Sequence, residues 1–393
     1  MKFDVSQKHA INKALTSRFW IITGAAGTGK TTIINEIVER YNFDYDILAP
    51  TGKAAARLRE ITSKDASTIH RALYYDGDSF NRNAPFSGMV IVDEASMVDL
   101  ALLAEIIKLE PKQLILVGDF AQLPPVGAGQ PFHDLIKSKP ECVTTLQKCY
   151  RADGAIHIAC NNIREGKLPP NKLISGGEAW TMIETGEAGA TMGYLSAWVK
   201  KGQFDPENDL LLSPRYGSGE NGDGGIDAIN TMVKGILNPS PGKYKEGDRI
   251  LCLKNFAKDN MWNGDIGTVQ DVTYERKNIG SLWVAWDKDK SEIVELTREQ
   301  VRETKLAYCL SIHKAQGSEC RRVFMVVLTK HHYQLSRSLL YTGVTRAKEG
   351  VCILGEKQAV IRAINHVNHK RTILKHLCRG QKDEVRSSNI NQS

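Results

Sequence analysis

Residues 20–32, WIITGAAGTGKTT, join an apolar run to a glycine-rich turn, a lysine and two threonines. The spacing Gly24-x4-Gly29-Lys30-Thr31 predicts a loop whose backbone N–H groups hold a triphosphate at the start of a helix. In such a loop Lys30 reaches the β- and γ-phosphates, and the Thr31 hydroxyl binds Mg²⁺. The predicted nucleotide-binding residues of this segment are Gly24, Ala25, Gly27, Thr28, Gly29, Lys30, Thr31 and Thr32. The pattern leaves open what the energy of the triphosphate is used for.

A second group of reactive residues follows the apolar run at 90–92 in VIVDEAS. We expect Asp93 to hold Mg²⁺ and Glu94 to polarise an attacking water. This pairing favours transfer of the phosphate to water over transfer to a small acceptor. Taken alone, the two carboxylates are also typical of a helix cap after a strand.

A third polar cluster lies in LVGDFAQLPPV at 116–126. Here Asp119 and Gln122 would lie beside the γ-phosphate, and Gln122 would sense it or orient water. Taken alone, this segment is typical of an ordinary turn.

Two arginines are candidates for stabilising the charge that develops on the γ-phosphoryl oxygens. Arg346 lies in LLYTGVTRAK and Arg151 in LQKCYRADG, both after residue 145 and far along the chain from the glycine-rich loop. A single arginine is more often a solvated or ion-paired surface group, so the residue type alone does not decide the role.

Alternating strands and helices must position these residues in the first part of the chain. Apolar runs predict buried strands at 20–23, 47–49, 89–92 and 114–117, with helices at 31–41 and 53–61 between them. This alternation predicts an α/β domain over 1–150 with a parallel sheet, whose ligands gather at the carboxyl ends of the strands. A polar segment at about 73–88 interrupts it and predicts an inserted hairpin or loop that carries Tyr74, Tyr75, Phe80 and Phe86.

A second α/β pattern occupies 151–238 and resumes at 306–378. It contains a predicted helix at 156–165, a strand at 209–213 and a helix at 226–237. Short β segments at 239–305 predict a small barrel-like insertion between its two parts. The polar tail at 379–393 is predicted to be disordered.

Composition sets broad limits. The chain has 393 residues, a formal net charge of +7 and eight cysteines without a C-x-x-C pair, which argues against a zinc or iron–sulfur site. The mild positive charge agrees either with plain solubility or with a polyanionic partner. No segment has the apolar length of a signal or a membrane span, so we expect a cytoplasmic protein (in the host cytoplasm if a phage encodes it) without a membrane partner. The pair His331-His332 is expected at the surface.

The order of the motifs resembles that of superfamily 1 helicases. GAAGTGKTT, APTGKAAARL, STIHRAL, VIVDEAS, VGDFAQLPPV, LQKCYR, LSIHKAQGSE and LLYTGVTRAK follow one another as in that family, from about residue 5 to 355. The details are similar to the RecD-like (1B) branch, and in particular to the compact phage Dda-type enzymes. The resemblance implies two RecA-like domains, with a β-hairpin pin inserted in the first and an SH3-like β-barrel in the second.

The resemblance also assigns roles at the nucleotide. It implies that Gln7 contacts the adenine of ATP, and that Gly317 and Glu319 lie near the ribose. Arg151 and Arg346 would contact the γ-phosphate together with Gln122, with Arg346 as an arginine finger. The implied catalytic set is Lys30, Asp93, Glu94, Gln122, Arg151 and Arg346, with Thr31 and Asp93 on Mg²⁺.

Contacts to a nucleic-acid backbone are expected at two places. In the first domain the candidates are Pro50, Thr51, Lys53, Thr68 and His70, and in the second they are His313 and Lys314. Hydroxyls, backbone N–H groups and lysines suit phosphate contacts without base reading. Alternatively, Thr68 caps a helix, and His70 or His313 is a satisfied core histidine.

The function implied is ATP- and Mg²⁺-dependent unwinding of DNA by a monomer that moves 5′→3′ on single strands, in replication, recombination or repair. Its partners would be single-stranded DNA and the duplex fork, with single-strand-binding or replication proteins as further candidates. Two alternatives stay open. One is an RNA helicase or a translocase that does not separate strands, and the other is a P-loop kinase or an ATP-gated binding module.

Overall fold

The computed structural model describes residues 3–150, 154–217, 224–256, 259, 261–275, 278–368 and 370. The chain forms two compact units, the first comprising Met1–Ala152 with Asn368–Ser393 and the second Asp153–Val367.

The first unit is built on a six-stranded parallel sheet with the strand order β3-β2-β4-β5-β1-β6. All four strands predicted from the apolar runs are present. The strands are β1 (Phe19–Gly24), β2 (Tyr45–Ala49), β3 (Ser67–Thr68), β4 (Met89–Val92), β5 (Gln113–Gly118) and β6 (Val143–Leu146). The helices are α1 (Val5–Thr16), α2 (Lys30–Arg40), α3 (Gly52–Thr62), α4 (Ile69–Ala72), α5 (Leu100–Lys108) and α6 (Pro131–Ser138), with short 3₁₀ turns at Ala95–Met97 and Pro140–Cys142.

Both faces of this sheet are covered, which explains why its strands are continuous apolar runs. Successive residues of a strand point to opposite faces. Ile22 and Ile91 therefore enter the core that includes residues of α1, α2 and α3, whereas Ile21 and Val92 enter the core that includes residues of α5.

The segment at 73–88 has little regular structure. Its one β feature among the described residues is an isolated antiparallel bridge between Tyr75 and Phe80. Phe86 is buried in the core on the α5 side of the sheet, so it is not available to stack on a base. A β-hairpin pin stays a prediction.

The second unit contains another six-stranded sheet, with the order β15-β9-β16-β17-β8-β7, in which only the β7–β8 pairing is antiparallel. Its strands are β7 (Lys172–Ser175), β8 (Glu178–Glu184), β9 (Asp209–Ser213), β15 (Cys309–Ser311), β16 (Cys320–Val327) and β17 (Ala347–Gly355). Its helices are α7 (Ala155–Glu165), α8 (Ala188–Lys200), α9 (Ile226–Leu237), α11 (Arg337–Val344) and α12 (Lys357–Asn365), with a 3₁₀ turn at Thr329–His331.

Between α9 and β15 the chain forms a separate five-stranded antiparallel sheet with the order β13-β12-β11-β10-β14. Its elements are β10 (Arg249–Cys252), β11 (Ile266–Glu275), β12 (Asn278–Trp286), β13 (Ile293–Leu296), α10 (Arg298–Arg302) and β14 (Thr304–Leu306). The sheet has a core of its own around Leu282, Val284 and Trp286. The predicted change to short β segments is thus confirmed, and the SH3-like character of the insertion stays a prediction.

Two differences from the sequence analysis concern buried polar or weakly patterned residues. His331 is fully buried, so its expected surface position was wrong: the residue ends the 3₁₀ turn that follows the apolar strand β16. The elements β7, β8 and α8 were not predicted. For β7 the reason is that it is a largely exposed edge strand without a clear apolar period. The predicted tail at 379–393 lies outside the described residues. Within the described part of the chain, none of the helices has the length and apolarity needed to cross a membrane.

Candidate active site

The residues predicted to bind phosphate and to activate water lie at one edge of the first sheet. Strand β5 lies between β1 and β4, with Thr23 opposite Gly118 and Val92 opposite Leu116. The strands are parallel, so the glycine-rich loop after β1, Asp119 after β5 and Asp93 after β4 leave the sheet at the same edge. This is where α/β sheets bind ligands.

The glycine-rich loop has the conformation that its sequence predicts. Gly27 and Gly29 have φ of 79° and 80°, a left-handed backbone that favours glycine, and α2 begins directly afterwards at Lys30. A Cβ on Gly24 would lie 2.6 Å from Thr28 Oγ1 and 2.9 Å from Leu146 Cβ. The loop therefore has no room for a side chain at Gly24.

Lys30 and Thr28 hydrogen bond within the loop itself. Lys30 Nζ donates to the carbonyls of Gly24 at 2.8 Å and Ala25 at 3.0 Å, and Thr28 Oγ1 donates to Ala25 O at 2.9 Å. Thr31 and Thr32 are half-buried in the first turn of α2. A bound phosphate would have to draw the Lys30 ammonium away from the two carbonyls.

Gln7, assigned to adenine, lies against the back of the loop. It is only 3% exposed, its Nε2 donates to Thr28 O at 3.2 Å, and its Oε1 accepts from Asp4 N at 3.1 Å and from Tyr150 Oη at 2.7 Å. The backbone N–H of Tyr150 donates to Gly27 O at 3.1 Å. An adenine contact by Gln7 stays a prediction, and its partner Tyr150 was missed, although it directly precedes Arg151 in LQKCYR.

Asp93 and Glu94 form a pair of adjacent carboxylates at the end of β4. Asp93 is 9% exposed, and its Oδ1 accepts from the Glu94 backbone N–H at 2.8 Å. Burial chiefly, and then the Glu94 charge, raise the pKa of Asp93 to about 6, while Lys30 and Arg57 act in the opposite direction.

The Glu94 side chain is set apart from Asp93 by an unusual backbone. Its φ of 50° lies in the left-handed region, which is uncommon for a non-glycine residue and tends to occur at functional sites. Glu94 Oε2 is buried without a hydrogen-bond partner among the described residues. Such an atom calls for an explanation, and a water or substrate that it binds is one.

Gln122, which follows β5, has a buried side-chain oxygen of the same kind as Glu94. It is 3% exposed, and its Oε1 is likewise buried without a partner in the part of the chain that the structure describes. Its neighbour Asp119 is fully buried and accepts from Ala121 N at 3.0 Å, which shapes the turn that presents Gln122. The structure therefore places Lys30, Asp93, Glu94 and Gln122 at the ends of three neighbouring strands.

Of the two arginines predicted to contact the γ-phosphate, the structure describes only Arg346. Arg151 lies outside the described residues. Arg346, in the second unit, is 4% exposed and donates to Thr342 O at 3.0 Å, Ser318 O at 3.4 Å and Thr345 Oγ1 at 3.2 Å. Its guanidinium is thus held by the turn after α11.

The segment QGSE lies near this turn. Gly317 has a φ of 75°, and Glu319 forms an ion pair with Lys348 at 3.2 Å. Gln316, which the sequence analysis did not single out, is buried with its Nε2 unpartnered among the described residues. The roles of Gly317 and Glu319 at the ribose stay predictions.

In the first unit, the candidate nucleic-acid residues follow two neighbouring strands. Strands β2 and β3 pair with Ala49 opposite Thr68, so the segment with Pro50, Thr51 and Lys53 leaves the sheet beside Thr68. Thr51 caps α3 by accepting from Ala54 N at 3.3 Å, and Thr68 caps α4 by accepting from Arg71 N at 3.2 Å. The cap considered for Thr68 is confirmed, and contact with a nucleic acid stays a prediction for all of these residues.

His70 belongs to a small aromatic cluster. Its ring centroid lies 5.2 Å from that of Tyr75 and 5.8 Å from that of Phe80. Burial lowers the pKa of His70, and Asp99 partly opposes this. Burial thus favours the neutral imidazole, and a neutral ring would meet a phosphate as a dipole rather than as a cation.

The second candidate pair follows β15. His313 is exposed, and Lys314 Nζ donates to Asn263 Oδ1 in the turn before β11. Burial lowers the pKa of Lys314. Asn263 thus connects a predicted strand-gripping lysine to the antiparallel insertion, which the sequence did not indicate.

Comparison with known proteins agrees with this geometry. The AAA domain family matches residues 2–186, and the UvrD-like helicase C-terminal domain matches residues 306–354. A Pif1 helicase from Bacteroides in complex with ADP-AlF3 and single-stranded DNA shares the fold, with a TM-score of 0.58 over 98% of both chains at 18% identity. A structure of two Pif1 helicases at forked double-stranded DNA gives a TM-score of 0.60, also with 98% of both chains and 18% identity.

Two curated relatives are similar in sequence as well. The chain is 32% identical to the ATP-dependent RecD2 DNA helicase of Deinococcus radiodurans over 376 residues, which is 90% of this chain and 49% of that protein. It is 28% identical to the RecBCD enzyme subunit RecD of Mycolicibacterium smegmatis, over 91% of this chain and 72% of the subunit. The chain spans about half the length of the RecD2 relative.

The fold and the site together define a P-loop protein with two RecA-like α/β domains. In sequence the chain is similar to helicases of the RecD-like (1B) branch of superfamily 1. The particular closeness to Dda-type phage enzymes stays a prediction.

Proposed function

We propose that this protein is an ATP-dependent DNA helicase that moves 5′→3′ along single-stranded DNA and unwinds duplex DNA in replication, recombination or repair. The observation that carries the proposal is a pair of buried oxygens, Glu94 Oε2 and Gln122 Oε1, which have no hydrogen-bond partner within the described part of the chain and follow strands next to the phosphate loop. Both suit an attacking water, and neither suits an apolar pocket for a phosphate acceptor. The similarity to RecD2, named as an ATP-dependent DNA helicase, supports the same activity.

The phosphates of ATP would lie on the N–H groups at the start of α2. Lys30 would exchange the carbonyls of Gly24 and Ala25 for the β- and γ-phosphates, because an anion is a stronger acceptor for an ammonium group than a neutral carbonyl is.

Mg²⁺ fits the residues present. It prefers oxygen ligands and is held by one or two carboxylates plus phosphate oxygens, and Thr31 and Asp93 offer a hydroxyl and a carboxylate. Asp93 is a buried carboxylate next to Glu94, and a nearby cation would favour its ionised form. When bound, the ion would neutralise charge on the phosphate oxygens.

Hydrolysis would use Glu94 as the base and the arginines as charge stabilisers. Glu94 Oε2 would accept a proton from the attacking water while Gln122 orients it, and Arg346 and Arg151 would donate to the γ-phosphate oxygens as charge develops there. For Arg346 this requires release of the three oxygens that now hold its guanidinium.

The nucleic acid would be held through its backbone. We assign phosphate contacts to Pro50, Thr51, Lys53, Thr68 and His70 in the first unit and to His313 and Lys314 in the second. The strand ends β2 and β3 offer hydroxyls and N–H groups without a base-reading element, which suits a motor that must accept every sequence.

The test is unwinding of a DNA duplex with either a 5′ or a 3′ single-stranded tail. We expect ATP-dependent unwinding of the 5′-tailed substrate only, and none by Lys30→Ala, which should keep its fold. Equal unwinding of both substrates, or preference for the 3′ tail, would contradict the polarity. Stronger stimulation of ATP hydrolysis by RNA than by DNA would indicate an RNA helicase, and no response to either would contradict a motor function.

A further inference from the structure

The turn that presents Gln122 is bonded to a histidine of the next helix along the chain. Residues Asp119 to Gln122 form a tight turn directly after β5, closed by a bond from Gln122 N to Asp119 O at 3.1 Å. His133 of α6 contacts this turn, with its Nε2 2.6 Å from Phe120 O. A carbonyl oxygen only accepts, so Nε2 must carry a hydrogen and donate it.

The position of α6 follows from the residues around its first turn. The helix begins at Pro131, and the next residue, Phe132, is buried in the core on the α5 side of the sheet. Gly118, the last residue of β5, leaves room for this ring, because a Cβ there would lie 3.1 Å from Phe132 Cζ. Packing of Phe132 against the end of β5 thus brings His133 beside the turn that follows the same strand.

Phe120 O belongs to the central peptide of the turn, and the orientation of that peptide distinguishes the two common turn types. Type II requires a positive φ at the third residue of the turn, whereas type I does not. Neither Phe120 nor Ala121 has a positive φ, which excludes type II and fits type I. Reversing the central peptide would turn Phe120 O away from His133 Nε2 and break the bond. The bond therefore favours one orientation of the turn.

The His133 ring is suited to the role of a donor. Its Nδ1 is buried without a hydrogen-bond partner among the residues that the structure describes, so a hydrogen on Nδ1 would have no acceptor there. Burial lowers the pKa of His133, while the bond to Phe120 O acts in the opposite direction. Burial and the lack of an acceptor both favour the neutral ring with its single hydrogen on Nε2.

We propose that His133 is a positioning residue, which fixes the turn through Phe120 O so that the buried Gln122 Oε1 is held in place for the attacking water. The inference rests on the proposed function, in which Gln122 orients that water. His133 does not touch the reacting atoms in this assignment, because it acts through the turn.

The experiment uses a matched pair of substitutions in the full chain. The amide nitrogen of glutamine lies about as far along the side chain as histidine Nε2, so His133→Gln can keep the donor to Phe120 O. The shorter asparagine matches Nδ1 instead, so His133→Asn loses this bond. The measurement is kcat and KM for ATP hydrolysis with saturating single-stranded DNA.

The two variants should differ in kcat. For His133→Asn we expect kcat to fall about 3- to 10-fold, the range that one net hydrogen bond supplies. KM for ATP should not change, because the turn is assigned to hydrolysis and not to nucleotide binding. For His133→Gln we expect kcat to stay within about twofold of that of the unmodified protein, since the amide supplies a similar bond.

A second measurement separates positioning of Gln122 from stability of the fold. In a Gln122→Ala background no amide is left to position, so adding His133→Asn should cause no further fall in kcat. A loss of folded protein would instead lower kcat equally in both backgrounds.

His366→Gln is the matched control. His366 Nδ1 also lies 2.6 Å from a backbone carbonyl, that of Leu335 in the second unit, and glutamine does not reproduce a donor at this position. The control should leave kcat unchanged.

Three results would overturn the inference and leave the proposed function intact: a normal kcat for His133→Asn, an equal fall for His133→Gln and His133→Asn, or a fall that persists in the Gln122→Ala background. Absence of ATP hydrolysis by the unmodified protein would overturn the proposed function itself.

Discussion

At the scale of single residues, the candidate site is marked by buried polar atoms that have no hydrogen-bond partner among the residues the structure describes. Burying an unpartnered carboxylate or amide oxygen costs free energy, and Glu94 carries a left-handed backbone in addition. We propose that the fold keeps both costs at the end of β4 because they leave Glu94 free to bind an attacking water. Arg346 is the contrasting case, because all three of its nitrogens have acceptors in its own unit.

Arg346→Ala tests whether this guanidinium exchanges those acceptors for the γ-phosphate. We expect ATP binding to persist and hydrolysis to slow by about three to five orders of magnitude, the effect of removing an arginine finger. Single-turnover hydrolysis and equilibrium nucleotide binding measure the two effects separately.

Arg298→Ala is the control for Arg346→Ala, since Arg298 is a largely exposed arginine of the same unit. It should leave hydrolysis unchanged. Arg346→Lys keeps the positive charge of the side chain. It serves to distinguish a loss of turnover from a loss of folding. Normal turnover by Arg346→Ala would remove this residue from the catalytic set.

At the scale of elements, one residue can serve the fold and a ligand together. Thr51 and Thr68 each accept a backbone N–H at the start of a helix, and each lies at a strand end where a nucleic-acid backbone is proposed to bind. A helix N-terminus favours negative charge, so a cap and a phosphate contact do not exclude each other.

Thr51→Asp separates the two roles, because aspartate caps a helix as well as threonine does but repels phosphate. We expect the free energy of unfolding to stay close to that of the unmodified protein, while affinity for single-stranded DNA falls several-fold. Thr51→Ala should instead lower the free energy of unfolding by about 1 kcal/mol.

Asn12→Asp adds the same charge to an exposed position of α1 in the same unit, and it should change neither property. Chemical denaturation and fluorescence anisotropy with labelled single-stranded DNA provide the measurements. If Thr51→Asp binds DNA normally, Thr51 is a helix cap alone.

At the scale of the whole molecule, the antiparallel insertion is fixed to the second unit by a buried charged cluster. Asp248, fully buried before β10, pairs with Lys234 of α9 and accepts from Tyr308 Oη at 2.7 Å and Asn238 Nδ2 at 3.0 Å. These contacts join α9 and the segments on both sides of the insertion. The orientation of the insertion within this unit therefore depends on them.

Asp248→Ala would leave the Lys234 ammonium buried without its counter-charge. Breaking a buried pair from one side costs about 3–5 kcal/mol, so we expect urea unfolding to shift by that amount. The double variant Lys234→Met with Asp248→Leu should recover much of the loss, because it leaves no buried charge.

Glu299→Ala breaks the exposed pair with Lys254 and serves as the matched control, with an expected change of about 0–1 kcal/mol. Equal effects of Asp248→Ala and Glu299→Ala would show that the buried cluster does not fix the insertion.

The sequence by itself determined the phosphate loop, the acidic pair and the α/β class. Their signals are local: glycine spacing sets a loop conformation, and an apolar run delivers the next polar residue to the end of a strand. The edge strand β7 escaped prediction because its side chains are largely exposed and its apolar pattern is weak. His331 was misplaced because a single histidine says nothing about its neighbours.

Only the tertiary structure decided which distant residues share a hydrogen bond. Tyr150 and Gln7 are 143 positions apart in the sequence, and Lys314 and Asn263 are 51 positions apart. No local sequence pattern links either pair. That Glu94 and Gln122 each keep a buried oxygen without a partner among the described residues is likewise a property of packing, since it depends on which groups the fold brings around them. The motifs thus predicted the reaction, and the folded chain determined which polar atoms remain available for it.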